Sequence, residues 1–203
     1  MTKSRLETFS DGVFAVVITI TVLEIRVPLG SELGAARPLL PLFLAYVLSF
    51  ASVGIYWNNH HHLMHLAGPI AGDVLWANHV LLFWLSLVPA STAWVGAYAR
   101  APWPTALYGL ILFMAGVSWL VLQRRLLAHS ERDSALARAV ARDFKGGLSL
   151  LLYLTGVASA FWRPWVAQGI YLLVAVLRLV PDRRFERVTR PFNLAPEAPG
   201  SDP

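Results

Sequence analysis

The 203-residue chain is 56% hydrophobic and 14% charged, with eight Trp and a mean hydropathy of +0.54. Soluble domains carry about 25% charged residues, so a multi-span membrane protein is the better reading and no second soluble domain fits. The absence of Cys excludes disulfides, thiolate metal sites and cysteine nucleophiles. The net charge of +5 would point a soluble protein toward nucleic acid, but membrane topology accounts for it here, and no nucleic-acid partner is expected.

Apolar stretches at about 5–27, 39–66, 74–96, 104–126, 146–162 and 165–180 predict an all-α integral membrane protein with six transmembrane helices. The first stretch is a poor membrane helix. Twelve residues separate Asp11 from Glu24, and two of them are Thr; a lipid-spanning helix needs roughly 20 apolar residues. Lys3 and Arg5 resemble the basic start of a signal peptide, but Ser10-Asp11 interrupts its apolar core, so the segment is expected to stay in the mature protein.

On a helical projection Gly12, Val16, Thr19, Ile20 and Leu23 fall on one stripe about 100° wide, with Ser10, Asp11 and Thr21 on the back. Two readings compete. In one, Val16, Ile20 and Leu23 pack ordinarily and Thr19 bonds the carbonyl of Ala15. In the other, several copies of the stripe surround an axis as an apolar constriction with a ring of Thr19 hydroxyls. Asp11 needs a partner, and Arg5 and the polar end of the second helix are the candidates. Glu24 either draws cations to a mouth or pairs with Arg26.

The second helix ends in Trp57-Asn-Asn-His-His-His-Leu-Met-His65, where Asn58, His61, His62 and His65 share a face. Asn78 and His79 open the third helix nearby. This cluster reads as an inter-helix hydrogen-bond network or a pH sensor. His61 and His65 with His79 are also a possible metal set, but His60, His61 and His62 point 100° apart and no HExxH pattern occurs, so no metal site is expected. Pro89 is expected to kink the third helix, with neighbouring hydroxyls satisfying the freed backbone groups. Trp94, Trp103, Trp162 and Trp165 read as interfacial anchors.

Residues 127–145 form a polar connector with Leu136, Val140 and Phe144 at helical spacing, predicting a short cytoplasmic or interfacial helix. Arg163-Pro164 predicts a tight hairpin between the fifth and sixth helices, one long broken segment being the alternative. Residues 1–180 thus form one transmembrane domain. Residues 181–203, basic and then Pro-rich, form a cytoplasmic tail expected to be disordered.

Six spans place 13 of the 17 basic residues on the side of the termini and four, Arg26, Arg37, Arg100 and Arg163, on the other. By the positive-inside rule both termini are cytoplasmic. No nucleophile–base pair or phosphate loop is visible, which points away from an enzyme. The chain holds no internal repeat, so any pore symmetry has to come from oligomerisation.

Arg5-x-x-x-Phe9-Ser10-Asp11, the Trp57-x-x-His-His run and Phe83-Trp-Leu-Ser-Leu-Val-Pro89 together resemble the prokaryotic transmembrane protein 175 potassium channels. The resemblance implies a homotetramer in a bacterial inner membrane, with four first helices lining a central potassium pathway and no cofactor. It places the narrowest apolar ring at Val16, a selectivity-linked hydroxyl at Thr19 and further rings at Ile20 and Leu23. It also places Arg5, Phe9, Ser10 and Asp11 in a network with histidine and asparagine of neighbouring helices, here Asn58, His61, His65, Asn78 and His79. The family's main constriction is usually Ile or Leu, so Val16, one methylene smaller, either widens the ring or moves the narrowest point to Ile20 or Leu23.

The function this implies is a potassium-permeable, modestly selective cation channel. A proton-coupled or metal-ion transporter using His61, His65, His79 and Asp11 is the alternative, and a helical scaffold or membrane hydroxylase stands third.

Overall fold

Long apolar runs can enter a bilayer only if their backbone polar groups bond within the segment, and a helix does this residue by residue. The computed structural model describes residues 2–68, 70–131, 134–140 and 144–179, and their regular structure is helical throughout. The helices are α1 (Lys3–Leu23), α2 (Leu40–Leu66), α3 (Gly72–Ser86), α4 (Val88–Ala97), α5 (Pro102–Ala128), α6 (Ala135–Val140), α7 (Phe144–Ala160) and α8 (Pro164–Leu179). A 3₁₀ turn over Leu33–Leu39 leads into α2. The expected tail at 181–203 lies outside the described residues, as do parts of the connector at 127–145.

Among the described residues, four stretches are long and apolar enough to cross a membrane: Lys3–Leu23, Leu33–Leu66, Gly72–Ala97 and Pro102–Ala128. The 17-residue α7 and 16-residue α8 are each about 25 Å long, slightly less than the hydrocarbon core of a typical bilayer. The layout fits six helices per subunit. Arg163-Pro164 separates α7 from α8, which pack along each other as a hairpin, so the single broken segment is set aside. Pro at the first or second position opens α2, α4, α5 and α8, where its missing N–H costs nothing.

The third span breaks at Leu87, two residues before Pro89. The break is locally satisfied. Ser86 Oγ donates to the carbonyl of Phe83 at 2.7 Å, and Ser91 Oγ and Thr92 Oγ1 both donate to that of Val88, at 2.9 and 2.7 Å. These hydroxyls flank Pro89 as expected, but their acceptors are the carbonyls of Phe83 and Val88 rather than that of Leu85, four residues before Pro89.

Two apolar clusters hold the bundle. One joins α1, α2, α3 and α5 through Phe14, Tyr56, Leu81, Leu85, Trp119 and Leu122; the other joins α5, α7 and α8 through Tyr108, Leu112, Tyr153 and Tyr171. Tyr171 lies so close to Gly109 of α5 and Gly156 of α7 that a Cβ at either would strike its ring or hydroxyl. Within α6, Leu136 is fully buried and Val140 packs against the first cluster. Its start is fixed by Ser134 Oγ accepting the Ala137 N–H at 3.1 Å.

The central helix is α5, packed against α3, α4, α7 and α8, whereas α1 packs on α2, α3 and α4 alone among its substantial contacts. About as little of the α1 stretch is buried as of Leu33–Leu66, 28% for each, against 61% for that of α5. The polar first helix therefore lies at the edge of the subunit.

Candidate functional site

The sequence of α1 divides it lengthwise. Leu6, Ser10, Phe14, Val17 and Thr21, spaced three or four apart, are its buried residues. Gly12, Val16, Thr19, Ile20 and Leu23 lie on the opposite, exposed side, with Val16 55%, Ile20 43% and Leu23 74% accessible. Asp11 is also exposed, so the exposed half takes in one of the three residues assigned to the back.

Every Thr and Ser hydroxyl from Thr8 to Thr21 bonds back along the helix. Thr8 donates to the carbonyl of Ser4, Ser10 to Leu6, Thr19 to Ala15 and Thr21 to Val17, at 2.6–2.9 Å. The Thr19–Ala15 bond expected of a membrane threonine is present. With its proton on that carbonyl, the Thr19 oxygen keeps its lone pairs as acceptors on an exposed residue.

Between this side of α1 and the break in the third span runs a groove of about 570 Å³ lined by Phe9, Gly12, Val16 and Ile20 and by Ser86, Pro89 and Ala90, with Glu24 at one end. The ion pairs among the described residues are those of Asp73 with Arg125 and His129, so Glu24 is not paired with Arg26 there.

At the other end of α1 a polar chain runs into the bundle. His60 Nε2 meets Asn78 Oδ1 at 2.8 Å, Asn78 Nδ2 donates to Ser10 Oγ at 3.0 Å, and Ser10 Oγ donates to the carbonyl of Leu6 at 2.8 Å. With Asn78 Oδ1 as acceptor, His60 Nε2 carries the proton and donates. Ser10, His60 and Asn78 are all buried, and the ring of Phe14 lies 5.6 Å from that of His60. One hydrogen-bonded line therefore ties α1, α2 and α3, and such a line repays burial only when each member is satisfied.

The expected network is thus present in part and differently populated. Ser10 and Asn78 belong to it, and His60 holds the place expected of His61 or His65. Asn58, His61 and His65 face outward, and Asn58, Arg5 and the rings of His61 and His65 make no hydrogen bond among the described residues. Asp11 accepts from the indole Nε1 of Trp57 at 2.9 Å rather than pairing with Arg5. His79 uses Nδ1 on the carbonyl of Leu75 at 2.7 Å and stacks on Phe9 with ring centroids 5.5 Å apart. Among the described residues no group of three or more His, Asp or Glu could hold a metal ion.

The place of His60 does not follow from spacing, because a helical repeat of polar residues marks a face without saying which way it turns. The available signal lay in its neighbours: His60 shares the stripe of Val53, Tyr56 and Met64, all apolar or aromatic and all buried. Lys3, in the sequence a topology charge and the start of a signal-like basic segment, donates to the carbonyls of His65 and Ala67 at 3.1 and 2.9 Å and closes the C-terminus of α2, where a cation also meets the negative end of the helix dipole.

Residues 5–89, from the start of α1 into α4, match the family described as the endosomal/lysosomal potassium channel TMEM175. A protein of a Chryseobacterium species described as a potassium channel is 47% identical over 187 residues, spanning 92% of this chain and 97% of that protein. One from Chamaesiphon minutus, also described as a potassium channel, is 32% identical over 187 residues, spanning 85% and 91%. Among solved structures, the crystal structure of a lysosomal potassium-selective channel TMEM175 homolog from Chamaesiphon minutus superposes with a TM-score of 0.76 at 30% identity, covering 87% of this chain and 96% of that one.

Proposed function

This chain belongs to the TMEM175 channel family, and from that premise we propose that it is a potassium-permeable, modestly selective cation channel built as a homotetramer. Four copies of α1 line the conduction path. Val16, Ile20 and Leu23 form stacked apolar rings that close it by excluding water, and Thr19 contributes a ring of hydroxyl oxygens between them. The protein resides in a bacterial inner membrane, with one transmembrane domain over residues 1–180 and both termini cytoplasmic. The 13-to-4 division of its basic residues supports this orientation.

One observation carries the reading: the exposed half of α1 is unlike a lipid face. Beyond Gly169, the exposed residues of α8, Leu172, Leu173, Val176, Leu177 and Leu179, are all apolar. On α1 the corresponding surface holds Thr8, Asp11, Gly12 and Thr19 among its apolar residues. Polar groups within a span ordinarily face protein or water, so this side of α1 calls for an axis of several copies.

An ion entering an apolar neck sheds part of its hydration shell, and potassium gives up water more readily than sodium. The lone pairs of Thr19 replace some of what is lost. Asp11 with Trp57, Phe9 with His79, and the exposed Arg5, Asn58, His61 and His65 surround the cytoplasmic end of the same face. There they are placed to meet a neighbouring subunit.

The test is ion flux from proteoliposomes holding the purified protein, under separate potassium and sodium gradients. Potassium flux exceeding sodium flux by a small factor is expected. Vesicles that release potassium no faster than protein-free ones would remove the channel reading.

A further inference from the structure

Two of the four basic residues at the α1–α2 loop end of the bundle, Arg100 and Arg163, are far apart in sequence but line one cleft of about 470 Å³ with Ala99, Pro164 and Trp165. The cleft is fixed by bonds that involve neither guanidinium. The turn after α4 is closed by the Ala101 N–H on the carbonyl of Tyr98 at 2.9 Å. It is tied to α8 by Gln168 Nε2, which donates to the carbonyl of Ala99 at 2.6 Å. The carbonyl of Arg163 accepts the Val166 N–H at 2.9 Å and so opens α8, whose positive dipole end lies in the cleft wall.

Both arginines are exposed, and the ion pairs among the described residues, all made by Asp73, involve neither. No carboxylate lines the cleft. Two exposed arginines and a helix N-terminus therefore border one cleft that no carboxylate lines. Around them Trp103, Trp162 and Trp165 are 69%, 89% and 68% exposed, and Trp103 meets Phe161 edge-on at 5.0 Å. Exposed Trp clustered at helix ends marks the depth of the lipid headgroups.

We propose that this cleft is a phosphate-binding site at the membrane surface, with Arg100 and Arg163 forking the phosphate oxygens and Trp165 covering the apolar part of the ligand. The guanidinium is the side chain whose planar donors match phosphate two bonds at a time. A phospholipid headgroup and free phosphate offer the same chemistry. The inference rests on the membrane-spanning reading of the chain, but not on conduction.

The experiment counts lipids retained by the full-length protein in native mass spectrometry, from micelles containing equal phosphatidylglycerol and phosphatidylcholine. Preferential retention of phosphatidylglycerol is expected, falling about tenfold in R100Q/R163Q and unchanged in R37Q, an arginine at the same end outside the cleft. If excess sodium phosphate displaces the lipid from the wild type, the site takes free phosphate as well. If it does not, the headgroup is the ligand. Equal retention by wild type and R100Q/R163Q, or an equal fall in R37Q, overturns the proposal. The single variants R100Q and R163Q are read in the same way should the double variant fail to fold. Potassium flux of R100Q/R163Q in phosphatidylcholine vesicles is expected to match the wild type, which separates this site from the pore.

Discussion

Thr19 donates to the carbonyl of Ala15 at 2.8 Å, a bond that serves either a packed or a pore-facing helix. What distinguishes the two is the remaining oxygen surface, which points to the exposed side with Val16 and Ile20. Thr19→Val keeps the shape and removes only the oxygen. In liposome recordings the variant is expected to lower the potassium-to-sodium permeability ratio while conducting still. An unchanged ratio would take Thr19 out of ion selection. Val16 raises a related point of size: in the proposed pore its ring would be one methylene smaller than one of Ile or Leu, and Ile20 and Leu23 would take a larger share in closing the path.

At the scale of elements, α1 is held by polar as well as apolar contacts. His60, Asn78 and Ser10 join three helices in one buried line, and Lys3 fastens the start of α1 to the end of α2. Removing the central amide in Asn78→Ala leaves the His60 donor without its acceptor. The expected loss is about 1–2 kcal/mol, the upper range for hydrogen bonds between membrane helices, read as a lowered thermal midpoint in detergent. A midpoint equal to the wild type would mean that water replaces the amide and that the line does not hold the helices together.

Element positions were largely legible because Pro, Gly and the apolar runs punctuate the chain. Pro102 and Pro164 open helices, and Pro89 with its hydroxyl neighbours marks the break at Leu87. The facing of α2 was not legible. Four histidines within the six positions from His60 to His65 fit any direction, and only the apolar company of His60 shows which of them turns inward.

The molecule as a whole pairs a packed body with an unshielded edge. Around the central α5, tyrosines, glycines and leucines fill the interior, while α1 leaves half its surface open, with polar groups at intervals. One subunit gives that surface nothing to face. The absence of Cys in the chain makes a direct test available, since a single introduced thiol is unique. Ile20→Cys and Leu23→Cys, placed on the exposed half of α1, are compared with Val176→Cys on the apolar exposed face of α8. Potassium flux from proteoliposomes is followed before and after a charged, water-soluble thiol reagent. The account predicts that flux falls in both α1 variants and is unaffected in Val176→Cys. Flux that persists undiminished in both α1 variants after the reagent has reacted with their thiols would contradict it.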